Sequence, residues 1–271
     1  MTASCNGIIT GPRRVHCSSI KSALRQLALL GALLVPLVSC SLHTPTAAQG
    51  GDIRNKIFDA YGGRERLSQI SSIAAEGSIT ALIRGDHGVY RRALRRDGKL
   101  FVDIQYSQSR ETRMLSGTRA LRSVDGKLEE VSGPSYLAMV YQYNELSMPF
   151  ALIDDSFAVK DLGREPFAGG AVRVLRCTDH SGNTLDAFVN EESYRIVKTL
   201  GRFSVGNEST SLSSEFSDFR FFEGVLVPFR IVNYSGETRI SETIIDDYLF
   251  NARLDDSMFD PHAPNQNPSK D

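Results

Sequence analysis

The stretch Leu212–Phe250, LSSEFSDFRFFEGVLVPFRIVNYSGETRISETIIDDYLF, reads as three strands joined by two tight turns. The turns fall at Glu223-Gly224 and Ser235-Gly236, where glycine supplies the backbone freedom that a short hairpin needs. The same texture runs back to Ala75, with turn signals at Gly85-Asp86, Asp97-Gly98, Ser116-Gly117, Asp125-Gly126 and Ser181-Gly182-Asn183. This spacing predicts a chain of antiparallel hairpins, about ten or eleven strands in all. The segment KLFVDIQY, Lys99–Tyr106, puts Leu100, Val102, Ile104 and Tyr106 on one side and Phe101, Asp103 and Gln105 on the other. One face of that strand is therefore apolar. A sheet so large must curl, close or be covered, because open edges invite pairing with other chains.

Two helical segments break the pattern. In DIRNKIFDAYGGRERLSQISSI, Asp52–Ile73, the residues Ile53, Ile57, Ala60 and Tyr61 recur at helical spacing, Gly62-Gly63 interrupts, and a short second turn ends at Ile70. In SYLAMVYQYNELSMPFALIDD, Ser135–Asp155, one helix face carries Tyr136, Leu137, Met139, Val140, Tyr143 and Leu146, and Pro134 stands just before its start. The expected class is α+β, mainly β: a large curved antiparallel sheet covered by two or three helices.

The N-terminal part has a different logic. The apolar run Leu27–Val38 is 12 residues long, whereas a membrane-spanning helix needs about 20. Arg13, Arg14, Lys21 and Arg25 precede it and no acidic residue occurs before Cys40, which is the arrangement of a secretory signal. Its end, Leu37-Val38-Ser39-Cys40, resembles the lipobox of bacterial lipoproteins. That resemblance implies cleavage before Cys40 and lipid on its thiol, a fate that requires a nucleophilic side chain. The competing reading is ordinary cleavage near Ala47-Ala48. The expected organisation is a signal over 1–39, a lipidated flexible tether over 40–51 (SLHTPTAAQGG after the cysteine), one domain over 52–260, and a disordered, proline-rich tail over 261–271.

Without its signal the chain has 27 basic against 32 acidic side chains, a net of −5. That balance speaks against nucleic acid as a partner, which calls for a basic stripe. Cys5 and Cys17 leave with the signal, so Cys40 and Cys177 remain and no internal disulfide framework can form. Cys177, in the strand-like VRVLRC, is expected to be buried as a small apolar residue. Asp179-His180-Ser181 are adjacent in a turn and cannot form the relay of a catalytic triad. The histidines lack metal-ligand spacing, and Asp154-Asp155, Asp246-Asp247 and Asp255-Asp256 lack the alternating ligands of a calcium loop. No catalytic residue, metal or cofactor is expected. The basic run RRALRRDGK, Arg91–Lys99, alternates with Tyr90 and Leu94 and is expected on the outward face of a strand, where anionic headgroups or an acidic partner are the candidate contacts.

In order, a tether, AYGGRERLSQISSIAAEGSI, a run of strands, a helical insert and the closing FSDFRFFEGVLVPFRIVNYSGETRISETIIDDYLFNARLDDSMFD resemble the LolA/LolB-like superfamily of lipoprotein-sorting and lipid-binding proteins. The likeness spans roughly residues 52–260. It implies an incomplete antiparallel barrel whose open side is plugged by helices over an apolar cavity for acyl chains. The chain departs from the family in having no tryptophan. Candidate cavity residues are Leu100, Val102, Ile104 and Tyr106 on the strand, Leu137, Val140 and Tyr143 on the insert helix, and Phe229 with Ile231 near the end. The alternative is that these side chains fill a solid core. The expected function is a lipid-anchored envelope protein that binds a lipid or the acyl chain of a lipoprotein in an apolar cavity and acts in lipid or lipoprotein transport or sorting. The second reading is a scaffold for another envelope protein. Ser41 after the lipid-bearing cysteine, with no aspartate there, resembles proteins released to the outer membrane, facing the periplasm.

Overall fold

The computed structural model describes residues 48–205 and 208–260, and the side chains of residues 53–204 and 210–260. The signal, Cys40, the first part of the tether and the tail lie outside the described residues. The chain runs through helices α1 (Ala48–Ala60) and α2 (Arg64–Ser68), then strands β1 (Ser72–Ala81), β2 (Asp86–Arg95), β3 (Lys99–Tyr106), β4 (Arg110–Ser116), β5 (Arg119–Val124) and β6 (Lys127–Glu130). Helix α3 (Gly133–Leu146) follows, then β7 (Phe157–Phe167), β8 (Gly170–Asp179), β9 (Thr184–Asn190), β10 (Ile196–Val205), β11 (Glu208–Phe222), β12 (Val225–Ser235) and β13 (Thr238–Phe250). Helix α1 begins four residues inside the stretch read as tether.

All thirteen strands belong to one antiparallel sheet, ordered β6-β5-β4-β3-β2-β1-β13-β12-β11-β10-β9-β8-β7. The first six wind from the middle to one edge. Helix α3 then carries the chain to the opposite edge, and the last seven wind back until β13 pairs with β1, Ile73 opposite Phe250. Because β6 and β7 are not joined, the sheet curves without closing. Both edges are protected against stray pairing: β6 is four exposed residues, KLEE, and β7 carries an irregularity between Asp161 and Gly163 and a proline at 166.

The core lies between the concave face of the sheet and the helices. Ile57, Phe58, Leu67, Leu94, Leu100, Val102, Leu152 and Leu175 are among its fully buried side chains. The Gly62-Gly63 break lets α1 turn into α2 directly against the β11–β12 hairpin. At Gly62, with φ +111°, a Cβ would stand 2.2 Å from the Gly224 carbonyl oxygen, so only glycine fits there. Arg66 Nη1 donates to the Glu223 carbonyl at 2.8 Å, and the Leu226 amide donates to the Tyr61 carbonyl at 3.1 Å. At the other end, Phe259 is 1% exposed, and Asp256 binds Lys99 at 2.6 Å and Arg95 at 2.8 Å. The closing segment is thus clamped onto β2 and β3.

Cys177 is buried and unpaired, and burial pushes its thiol up to about 12. The run Arg91–Lys99 departs from the outward placement expected of it. Arg91 lies outside near Glu76, at 3.8 Å, and Arg95 pairs with Asp97 at 2.7 Å. Arg92, however, shares its side of β2 with Tyr90 and Leu94, and all three are buried. Strand alternation, which turns every second residue to the same face, sends this one arginine inward. Among the described residues no helix is long and apolar enough to cross a membrane.

Candidate functional site

Helix α3 spans the concave face and leaves a cavity of about 600 Å³ beneath it. Ile79 of β1, Tyr90 of β2, Ile104 and Tyr106 of β3, Ile231 of β12 and Met139 and Leu146 of α3 supply its apolar walls. The volume lies within the range of about 300–1,000 Å³ typical of sites that enclose a small molecule. Of the residues singled out from the sequence, Ile104, Tyr106 and Ile231 line this space. Leu100, Val102 and Phe229 pack in the core, with Val102 wholly buried. Val140 and Tyr143 face a second cavity of about 260 Å³ on another side of α3, and Leu137 lines neither.

Polar side chains line the larger cavity along β11–β13, at Ser213, Ser214, Asn233, Ser241 and Thr243, and gather at two further places on its wall. On one side, Glu111 accepts from Arg113 Nε at 2.9 Å and Arg122 Nε at 3.0 Å, and Arg113 Nη1 donates to Gln142 of α3 at 3.3 Å. Burial opposes ionisation of Glu111, but the two guanidiniums outweigh it and hold the carboxyl below its ordinary range. These half-buried contacts tie α3 to β4 and β5.

The second place is buried. Glu145 of α3 is 6% exposed and accepts from Thr199 Oγ1 of β10 at 3.2 Å. Tyr141, one helical turn earlier, lies 3.0 Å from the same Thr199 oxygen. Thr199 has one hydroxyl proton, so when it donates to Glu145 it must accept from Tyr141. Burial pushes the Glu145 carboxyl up to about 7, while Ser214, Tyr141, Thr199 and the Arg92 charge pull it back down. Burial likewise raises Tyr141 well above the usual phenol range. The Tyr141 ring is accommodated because residue 201 is glycine: a Cβ there would stand 2.4 Å from the ring. Tyr141, Glu145, Arg92 and Thr199 were absent from the sequence-based site. Two local signals were available, the helical spacing of Tyr141 and Glu145 and the strand alternation that turns Arg92 inward; Thr199 itself lies 54 residues beyond Glu145 and 58 beyond Tyr141.

The second cavity has a different character. Tyr143 Oη donates to the Arg96 carbonyl at 3.0 Å, and Asn144 Nδ2 donates to Asp179 at 3.1 Å. Asp179 also accepts from the amides of Ser181 and Asn183, each at 2.9 Å. The Asp179-His180-Ser181 stretch is therefore a capped hairpin turn whose carboxylate is occupied by structural bonds. Among the described residues no group of histidine, cysteine or acidic side chains is arranged to hold a metal ion.

No known family model and no curated protein sequence matches the chain. Solved structures do. A domain from Vibrio parahaemolyticus, described as an outer membrane lipoprotein-sorting protein, superposes with a TM-score of 0.52 at 15% identity, covering 80% of this chain and 98% of the other. A LolA superfamily protein from Nitrosomonas europaea gives 0.50 at 16%, covering 75% and 95%. The chain has the LolA-superfamily fold. A DUF1329 family protein from Desulfovibrio piger shares it, with a TM-score of 0.51 at 12% identity over 80% and 98% of the two chains.

Proposed function

We propose that this protein is anchored in the bacterial envelope through a lipid on Cys40 and holds a lipid, or the acyl chain of a lipoprotein, beneath α3 without changing it chemically. The observation that carries this reading is the 600 Å³ cavity with apolar walls between α3 and the concave sheet. Transfer of an acyl chain into such a space is favourable by about 0.8 kcal/mol per methylene. The shared fold with a lipoprotein-sorting domain supports the reading, and so does the lipobox-like Leu37-Val38-Ser39-Cys40; Ser41 after the cysteine, with no aspartate there, supports an anchor in the outer membrane facing the periplasm. Binding rather than catalysis fits the chemistry: Asp179 is engaged by backbone amides and the Cys177 thiol is buried.

Native mass spectrometry of detergent-extracted protein, together with uptake of a fluorescent fatty acid, tests the proposal. Co-purifying lipid and saturable uptake are expected. A clean apo mass with no uptake refutes the cavity reading. Cys40→Ala should move the protein from the membrane to the soluble fraction, and its retention on the membrane would refute the anchor.

A further inference from the structure

Arg92 is 7% exposed, yet its guanidinium is poorly satisfied. Nη2 reaches the Tyr248 hydroxyl at 3.4 Å, a weak contact, the Tyr90 hydroxyl bonds to the guanidinium and the Tyr248 ring lies 5.7 Å from it, but Nη1 has no hydrogen-bond partner. Among the described residues Arg92 makes no ion pair. Buried guanidinium N–H groups without acceptors are costly and uncommon, so such a group marks a position awaiting one. Beside it lies a void of about 40 Å³, lined by Arg92, Tyr248 and Pro228 and by Glu145, Leu146 and Ile231. The last three also line the 600 Å³ cavity, so the void adjoins it.

The geometry points to a subsite for the carboxylate of a single-chain fatty acid, with the tail in the large cavity and the carboxylate in the void between the unpartnered Arg92 Nη1 and the Glu145 side chain. This rests on the cavity reading above and names the class of ligand it takes. The recess offers one net positive charge and one further donor, which matches a monoanion with two acceptor oxygens. A phosphate monoester is bulkier and carries a charge of about −1.5 to −2, more than one arginine balances.

The groups facing Glu145 make the binding proton-linked. Thr199 of β10 donates to it, Tyr141 on its own helix and Ser214 of β11 stand beside it, and Arg92, with Tyr90 and Tyr248 beside it, supplies the charge from β2. In the empty site the carboxyl titrates near 7. A second carboxylate beside it favours the protonated form, so above that pH each binding event must take up a proton.

The test measures binding of laurate, methyl laurate and lauryl phosphate to the intact protein from pH 5.5 to 8.5. Laurate affinity should hold below about pH 7 and fall up to tenfold per pH unit above it, while methyl laurate binds independently of pH. Arg92→Gln should weaken laurate at least tenfold and leave methyl laurate unchanged. The isosteric Glu145→Gln should retain laurate binding and lose the pH dependence. Equal, pH-independent binding of laurate and its ester overturns the inference and leaves the cavity reading standing. Lauryl phosphate binding as tightly as laurate overturns the choice of ligand class. Uptake of none of the three overturns both.

Discussion

Glu145→Gln is also the sharpest test of the buried polar cluster through stability. The Glu145 side chain titrates at about 7 in the folded protein, against an ordinary carboxyl value of 4.5. The folded state therefore binds this proton more tightly than the unfolded state does. Below pH 4.5 both states are protonated, and the group contributes no pH dependence. Between 4.5 and 7 the folded state keeps the proton that the unfolded state has lost, so stability falls as pH rises, by about 1.4 kcal/mol per unit. Above 7 both states are ionised and the loss levels off at about 3 kcal/mol. Glutamine cannot ionise, and its carbonyl oxygen can still accept from Thr199 where Glu145 does, at 3.2 Å. The variant should match the parent near pH 4.5 and exceed it by about 3 kcal/mol at pH 8, or roughly 6–12 °C in melting temperature for a domain of this size. Urea unfolding of both proteins at pH 4.5, 6, 7 and 8, each on a Cys40→Ala background, measures the difference directly. A difference that stays constant across this range would refute the assignment of a proton to Glu145 in the folded state.

Three other substitutions probe separate parts of the structure. Gly62→Ala should lower stability by several kcal/mol, because its Cβ would collide with the Gly224 carbonyl at 2.2 Å and φ is +111°; a melting temperature within a few degrees of the parent would contradict this packing. Ala138→Trp, on the cavity-facing side of α3, should fill the space and cut fatty-acid uptake at least tenfold with the fold retained. Unchanged uptake would place the ligand elsewhere, and the introduced indole gives a fluorescence signal in a chain that has no other tryptophan. Cys177, whose thiol is pushed up to about 12 by burial, should resist alkylation at pH 8 until denaturant is added; rapid labelling of the native protein would show that its strand opens.

The hairpin pattern was legible because each strand is bounded by its own turn residues, and the glycine break at 62–63 because helical spacing stops there. The excess of two or three strands over the expected number comes from pieces such as β6, four exposed residues with no apolar alternation to mark them. Arg92 was legible and was overlooked: in Tyr90-Arg91-Arg92-Ala93-Leu94 the alternation already places it beside the two buried apolar residues. The recess around it was not legible. Leu100 and Val102 share a strand face with Ile104 and Tyr106, and Ile104 belongs to the same core, yet only the second two line the cavity. What separates them is where α3 stands over the sheet, and no local pattern in the strand records that.

The placement of α3 explains how a cavity persists where a core would otherwise collapse. At one side the helix is set against β10 by Tyr141 seated over Gly201, with its ring 5.9 Å from that of Phe203. At the other it is tied by Gln142 to Arg113, and Tyr143 binds the Arg96 carbonyl. Each such hydrogen bond contributes only about 1 kcal/mol net, and they add to the apolar packing of Met139, Val140 and Tyr141 in the core. Such contacts fix the height of the helix, since each has a preferred length, whereas apolar packing alone would draw it onto the sheet.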